Sequence, residues 1–142
     1  MLLLRSYARF VGEPLASYSG ISDDEAAHQL YETAPFGLLA HDTSADPLFI
    51  YANRTAQRCF EYDWDDFVGL PSRLSALPDG QTDREALLRS VAEHHVTTGY
   101  RGLRVSKSGH RFWVENLTMW ELIDDDGVRY GQAAVFRSWS DA

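Results

Sequence analysis

The sequence contains little of what marks several classes of protein. A single cysteine, Cys59, among 142 residues excludes an internal disulfide framework and a metal site made of several thiolates. Apolar runs are short: the first, residues 1–4, ends at Arg5, so neither a secretory signal nor a membrane-spanning helix is predicted. We therefore expect a protein of the reducing cytoplasm.

Positive charge is scarce as well. The chain has 13 Lys and Arg residues against 21 Asp and Glu residues, a formal net charge of −8. Binding to nucleic acid depends on Lys and Arg displacing counterions from phosphates, and anionic membranes attract the same residues. We therefore predict no direct nucleic-acid partner and no membrane partner.

Catalytic motifs are also absent. There is no Gly-x-Ser-x-Gly, no glycine-rich phosphate loop, and no Cys-His or paired-carboxylate arrangement on matched elements. His28, His41 and His110 are scattered over separate segments without the spacing of metal ligands. A non-enzymatic protein without a metal site is predicted.

What the chain does contain is helical periodicity in its first part. Apolar residues predict an opening helix over Leu2–Val11, and a capping box at residues 22–25 opens a second helix that ends at Pro35. Two short apolar runs follow, residues 36–40 and 48–51, with turn-forming residues between them. This pattern predicts two helices followed by a β-hairpin.

The second half adds more helix and then three strands. Asn53 is a predicted helix cap, and a second capping box at residues 82–85 opens a helix over residues 82–95 that buries Leu87 and Val91. The last three predicted strands are residues 100–106, 110–123 and 128–139. This order predicts an α+β fold with one antiparallel sheet, and the length fits one domain.

Four segments resemble the MEKHLA domain family. They are Tyr-Ala-Asn-Arg-Thr-Ala at 51–56, Leu-Pro-Ser-Arg-Leu-Ser-Ala at 70–76, Ser-Gly-His-Arg-Phe-Trp-Val-Glu-Asn at 108–116 and Tyr-Gly-Gln-Ala-Ala-Val-Phe at 130–136. MEKHLA domains are PAS-like modules, known as stand-alone bacterial proteins and at the C-terminus of plant class III homeodomain–leucine zipper regulators. The hexapeptide that names the plant domain is absent, so the chain resembles the bacterial stand-alone branch.

The resemblance implies a PAS-like fold, a five-stranded antiparallel sheet of order 2-1-5-4-3 with short helices closing a cavity over one face. It divides the chain into an N-terminal helical extension, residues 1–35, and a PAS-like core, residues 36–142, within one structural domain. PAS domains sense small molecules, cofactors or redox state, and they also dimerise. The implied function is a sensory or ligand-binding module in signalling.

The cofactors of the PAS superfamily are not predicted for these residues. Flavin-binding light sensors carry a reactive cysteine in the helix after the tight turn, and the matching residue here is Ser72. The strand positions that hold the flavin ring through amides match Arg104, Val114 and Phe136. Haem needs an axial histidine, but His94 and His95 suit the dipole at a helix C-terminus. We predict no cofactor and leave open an unidentified small molecule.

Strict alternation along the strands predicts which side chains line the pocket. The proposed ligand-binding residues on these strands are Arg104, Phe112, Val114, Asn116, Trp120, Gln132 and Phe136. Arg104 is a candidate to bind an anion, as is Arg73, whose counterpart in flavin-binding relatives approaches the cofactor phosphate. Alternatively, Arg104 pairs with a carboxylate of the covering helices and Arg73 pairs with Asp65 or Asp66.

The opposite sheet face supports a second hypothesis, a homodimer that binds no ligand. The residues predicted for this interface are Leu3, Tyr7, Phe10, Trp113 and Met119. Alternation also places Glu115 and Glu121 on this face, as surface or interface groups. The predicted partners are a second copy of the chain and an unidentified signalling protein.

Overall fold

One sheet lies in the middle of the molecule, with helices on both of its faces. The computed structural model describes all residues from 1 to 142. The helices are α1 (Leu2–Val11), α2 (Asp23–Glu32), α3 (Arg54–Phe60), α4 (Trp64–Phe67) and α5 (Gln81–His94). The strands are β1 (Gly37–His41), β2 (Phe49–Ala52), β3 (Val96–Val105), β4 (Arg111–Ile123), β5 (Arg129–Phe136) and β6 (Ser138–Asp141). Two 3-10 turns, Ser72–Ser75 and Pro78–Gly80, lie between α4 and α5. No helix combines the length and the apolar character that crossing a bilayer requires.

All neighbouring strands are antiparallel, in the order β2-β1-β5-β4-β3. The predicted α+β fold and sheet order are therefore confirmed. The predicted last strand, residues 128–139, is instead two strands. Because β4 is 13 residues long, its residues 118–123 pair with β5 and its residues 112–115 pair with β6.

Most helix ends follow the sequence signals. Helix α1 has the predicted bounds, Leu2–Val11, and is capped at its C-terminus by Gly12, whose φ of 90° is easily adopted by glycine. The Ser22 hydroxyl accepts a hydrogen bond from the Glu25 N–H at the start of α2. The second capping box is wrong: α5 begins at Gln81 after Gly80, and Thr82 lies inside its first turn without capping it.

Asn53 does more than cap a helix. Its side-chain oxygen accepts hydrogen bonds from the N–H groups of Leu38 and Ala56, and its amide nitrogen donates to the carbonyls of Leu30 and Phe36. The side chain is fully buried. One amide therefore joins the end of α2, the start of β1 and the first turn of α3, and it satisfies four buried backbone groups.

The two faces of the sheet have separate cores. We call the face covered by α1 and α2 the outer face, where Trp120 is fully buried and Tyr7 of α1 packs edge-on against it at 4.9 Å. The Trp120 indole N–H donates to the Ser6 hydroxyl at 2.9 Å. We call the other face, covered by α3, α4 and α5, the inner face, where Phe60 and Phe136 belong to the core.

A bulge at Asn116 changes the phase of β4, that is, which of its alternate side chains face inward. The φ of Asn116 is 50°, and the pairing with β3 shifts register at this point, so that one extra residue is accommodated in β4. Val114 faces inward before the bulge, whereas Leu117 and Met119 face inward after it and Trp120 faces outward. The predicted positions of Trp120 in the pocket and of Met119 on the opposite face are therefore wrong.

Two further predictions fail for the same reason. Asn116 itself is exposed and does not reach the inner core. Glu121, predicted as a surface or interface group, is buried on the inner face and accepts hydrogen bonds there from Gln132 and Arg129. Glu115, which precedes the bulge, keeps its outward position and pairs with Arg101 at 2.9 Å.

Candidate ligand-binding cavity

A small cavity lies between the inner face and the helices that cover it. Its volume is about 50 Å³, which is room for a few water molecules. The apolar lining residues are Leu39, Phe49, Phe60, Leu87, Leu88, Val114, Leu117, Met119, Ala134 and Phe136. The polar lining residues are His41, Ser72, Ser75, Arg84 and Arg104. Both layers thus contribute to a mainly apolar wall that carries a few polar groups.

Arg104 reaches the cavity from β3. It is 7% exposed, and its Nη1 donates to the Leu103 carbonyl at 2.8 Å. The Tyr100 hydroxyl lies 3.4 Å from Nη1 and Nη2, and it donates in turn to the Asp83 carboxylate at 2.6 Å. Arg104 forms no ion pair of its own, so the predicted pairing with a carboxylate of the covering helices is wrong.

Arg84 reaches the cavity from the opposite layer, on the first turns of α5. It is also 7% exposed, and its guanidinium donates to the Ser72 hydroxyl. It forms no ion pair either. Burial lowers the pKa of Arg84, and the positive charge of Arg104 lowers it further. Two cationic side chains therefore line one cavity without a counter-charge in contact.

A chain of hydrogen bonds leads from the cavity to the surface. His41 Nε2 is 2.9 Å from Gln132 Oε1, Gln132 Nε2 donates to Glu121 Oε1 at 3.0 Å, and Arg129 Nε donates to Glu121 Oε2 at 2.6 Å. Since the Gln132 amide donates to Glu121, its oxygen is the atom that accepts from His41. Burial lowers the pKa of His41, which keeps its imidazole neutral and leaves Nδ1 as an acceptor.

The predicted pocket residues divide into two groups. Arg104, Val114 and Phe136 line the cavity, as placed by alternation. Phe112 is on the inner face but packs against Phe60, with ring centroids 5.0 Å apart, and Gln132 lies behind His41. Neither side chain lines the cavity.

Arg73 lies outside the cavity. Its side chain is 53% exposed and pairs with Asp46, with Nε and Oδ2 3.2 Å apart. The predicted alternatives, Asp65 and Asp66, are not its partners, because the loop before β2 brings Asp46 closer. The predicted pair of pocket arginines is therefore wrong in one member, and Arg84 takes the place assigned to Arg73.

The predicted interface residues of α1 pack within the chain. Leu3 and Tyr7 join the outer core, and Phe10 stacks on His95 with ring centroids 5.2 Å apart. Trp113 lies on the outer face, where the Arg101 guanidinium stacks 3.9 Å from its ring centroid. Trp113 is thus half-buried against the chain's own arginine.

Arg84 is the cavity residue that sequence reasoning missed. The signal was present: Arg84, Leu87 and Val91 have the spacing i, i+3 and i+7 of one helix face, and all three are buried in α5. Reading residues 82–85 as a capping box placed Arg84 outside the apolar stripe. His41 was missed for a different reason, because the first predicted strand ended at residue 40. In the structure β1 extends to His41, which follows Leu39 at the strand period and lines the cavity with it.

The cavity residues do not fit a flavin or a haem. Ser72 provides no thiol, and a cavity of about 50 Å³ is too small for the three-ring isoalloxazine. Cys59 lies on α3, where burial raises the pKa of its thiol to about 11. His94 and His95 are exposed and do not line the cavity, so neither presents an axial ligand there. No group of His, Cys, Asp and Glu side chains has a metal-binding arrangement.

The architecture is that of a PAS domain. A PAS domain of a protein from Colwellia psychrerythraea superposes with a TM-score of 0.70 at 15% identity, covering 85% of this chain and 98% of that chain. An RNA-binding Light-Oxygen-Voltage receptor gives 0.69 at 19% identity, over 91% of this chain and 36% of that chain. A Light-Oxygen-Voltage domain studied with a flavin analogue gives 0.65 at 20% identity, over 84% of each chain. At these identities the likeness concerns the fold.

The family follows from the sequence match. The profile of the MEKHLA domain matches residues 1–141, and the chain belongs to the MEKHLA domain family. The homeobox-leucine zipper protein ATHB-14 of Arabidopsis thaliana is 28% identical over 142 residues, which is 96% of this chain and 16% of the plant protein. The chain therefore corresponds to a small part of that relative.

Proposed function

We propose that this protein is a non-enzymatic sensory module that binds a small molecule in the cavity between the inner face and α5. The observation that supports the proposal is the lining of the cavity. Apolar side chains from both layers surround it, and its polar groups come from β1, β3, α5 and the first 3-10 turn. Ligand pockets in proteins have this composition, with a few convergent polar groups in an apolar wall.

Binding there would act on the covering layer. Arg84 and Ser72 belong to this layer and Arg104 to the sheet, so a ligand in contact with both would favour one packing of α5. On β4, Met119 lines the cavity while the adjacent Trp120 supports α1 on the outer face. A shift of this strand would therefore reach α1, which is the element available to report the bound state.

The test is a comparison of ligand retention in purified protein. Native mass spectrometry on protein from its expression host, and thermal shift across a metabolite panel, are expected to detect a bound small molecule. The variant Ala134→Leu fills the cavity and is expected to abolish binding, whereas the matched variant Ala86→Leu adds the same side chain on the exposed face of α5. Retention of the ligand by Ala134→Leu, or no ligand for the wild-type protein, would contradict the proposal.

A homodimer is the second candidate. The observation that favours it is the outward position of Trp113 and Leu103, paired across β3 and β4 and only half-buried within the chain. Sedimentation equilibrium at tens of micromolar should then give twice the monomer mass for the wild type and the monomer mass for Trp113→Glu. A monomeric wild-type mass would rule this candidate out. The signalling partner, the cytoplasmic location and the lack of catalysis remain predictions.

A further inference from the structure

We propose that the ligand of this cavity is a small organic carboxylate, whose carboxylate group is bound between Arg84 and Arg104 and whose apolar part contacts the surrounding side chains. This inference rests on the proposed function, because it names the chemical class that the sensory cavity takes. It is carried by an imbalance of charge in contact with the cavity.

Ion pairing among the arginines of this chain does not follow burial. Half-exposed Arg73, Arg101 and Arg111 each form an ion pair with a nearby carboxylate. The deeply buried Arg84 and Arg104 form none. A buried charge is costly unless it is paired, and two like charges lining one cavity add repulsion to that cost.

A shortage of acidic residues does not explain this arrangement. The chain carries 21 Asp and Glu residues against 13 Lys and Arg. The carboxylate nearest to the pair through hydrogen bonds, Asp83, is exposed and contacts Tyr100 rather than Arg104. The fold therefore keeps its own carboxylates one hydroxyl group away from the two guanidinium groups. A carboxylate from solution would supply the counter-charge that the chain withholds.

Hydrogen-bond donors remain for such a carboxylate. Each guanidinium has five N–H groups, of which Arg84 uses one on Ser72 and Arg104 uses others on Leu103 and Tyr100. The Ser72 hydroxyl accepts from Arg84 and donates to no protein acceptor, so its hydrogen is also free. Guanidinium forks and hydroxyl groups match the planar, two-oxygen geometry of a carboxylate.

Apart from His41 and Ser75, the rest of the lining is apolar and selects for an apolar body of limited size. Leu87, Leu117, Met119 and Phe136 lie around the space, and none of them offers a hydrogen bond to further polar groups of a ligand. The volume of about 50 Å³ favours a chain of a few carbon atoms over a long fatty acid. Inorganic phosphate or sulfate would satisfy the arginines but would leave this apolar wall unused.

The test is calorimetric titration with matched compounds at constant ionic strength. Sodium propionate and sodium butyrate are the probes, propionamide and butyramide are their neutral counterparts, and phosphate and sulfate are the inorganic controls. We expect the carboxylates to bind, the amides to bind at least about tenfold more weakly, and the inorganic anions to bind more weakly than the carboxylates.

Variants then assign the binding to the two arginines. Arg84→Met and Arg104→Met are each expected to weaken carboxylate binding by about 10- to 100-fold, since each removes charge-assisted hydrogen bonds. The matched control is Arg89→Met, which removes an exposed arginine of α5 that forms no ion pair and is expected to bind as the wild type does. Circular dichroism confirms folding, and Arg104→Lys, which keeps the charge but loses the fork, replaces Arg104→Met if the latter does not fold.

The outcomes separate this inference from the proposed function. Three results would each overturn the assignment of the ligand as a carboxylate while leaving the proposed ligand-binding function intact. They are equal binding of amides and carboxylates, unchanged binding in Arg84→Met and Arg104→Met, and tighter binding of phosphate than of any carboxylate. If neither the probes nor native mass spectrometry gives any ligand, the proposed function fails, and this inference fails with it.

Discussion

The two faces of the sheet are built differently although they share the same strands. On the outer face, Trp120 is fully buried and even its single polar atom has a partner in Ser6. On the inner face, a cavity and two buried guanidinium groups are retained. Close packing stabilises a fold, whereas voids and unpaired charges destabilise it. The outer face is therefore packed for stability, whereas the inner face keeps a cavity and two buried charges at a cost in stability, as the proposed ligand-binding role would require.

The largest effect is expected from adjacent residues of β4 that face opposite ways. Trp120→Ala should lower the free energy of unfolding by about 3–5 kcal/mol, because it empties the outer core. Met119→Ala should cost about 2 kcal/mol, because its flexible side chain already borders a cavity. Urea denaturation measures both values. Equal costs would show that the two cores are packed equally well.

A second comparison adds volume to each face instead of removing it. Ala133 is fully buried on the outer face, and Ala134 lines the cavity on the inner face. Ala133→Val should destabilise by about 1–3 kcal/mol through overpacking. Ala134→Val should change the unfolding free energy by less than about 0.5 kcal/mol, because the cavity receives the added methyl groups. The comparison would be broken if Ala134→Val were the more harmful variant.

A third comparison removes one polar group from each face. Ser6→Ala leaves the Trp120 indole N–H buried without an acceptor and should cost about 1 kcal/mol or more. Arg84→Met removes a buried charge that has no carboxylate partner and should raise the unfolding free energy of the ligand-free protein by about 1 kcal/mol. Changes of opposite sign in the unfolding free energy of the two variants, measured by denaturation, would support the difference between the two faces. A loss of stability in Arg84→Met would argue against it.

The smallest effect concerns pH. Burial lowers the pKa of His41 from its usual 6.5, so the unfolded chain binds a proton more readily than the folded one. Stability contributed by neutral His41 is complete above about pH 6.5 and is lost as the pH falls through the lower folded-state pKa. The unfolding free energy of the wild type should therefore decline more between pH 7.5 and 5.5 than that of His41→Asn. Parallel pH profiles for the wild type and His41→Asn would show that His41 does not cause the decline in stability.

The fold was predictable because its signals are local or carried by motifs. The apolar periodicity of residues 2–11 and the side-chain caps at Ser22 and Asn53 depend on neighbours in sequence, and each is confirmed in place. The order of the strands depends on long-range pairing, and it came from the resemblance to the MEKHLA family rather than from periodicity. Local rules and family motifs together were sufficient for the architecture.

The site was less predictable, because its members depend on geometry between elements. Alternation assigns residues to faces only while the strand keeps its phase, and the phase of β4 changes where it meets an irregular β3. Asparagine tolerates positive φ, so Asn116 in the middle of a strand was a usable warning. Arg73 lies outside the site because the loop before β2 brings Asp46 to it, which no local pattern specifies, whereas Arg84 could have been found from the helix face that it shares with Leu87 and Val91.

The bulge at Asn116 also governs how related chains are to be aligned. Between the bulge and Met119, a deletion of one residue would turn Met119 toward α1 and Trp120 toward the cavity. A deletion of Asn116 itself would instead remove the bulge and restore plain alternation, with both side chains on their present faces. A one-residue gap in this strand therefore exchanges the inward and outward residues, unless the gap falls at the bulge itself. Homologous positions in β4 should be matched by parity counted from the asparagine before any binding residue is transferred between family members.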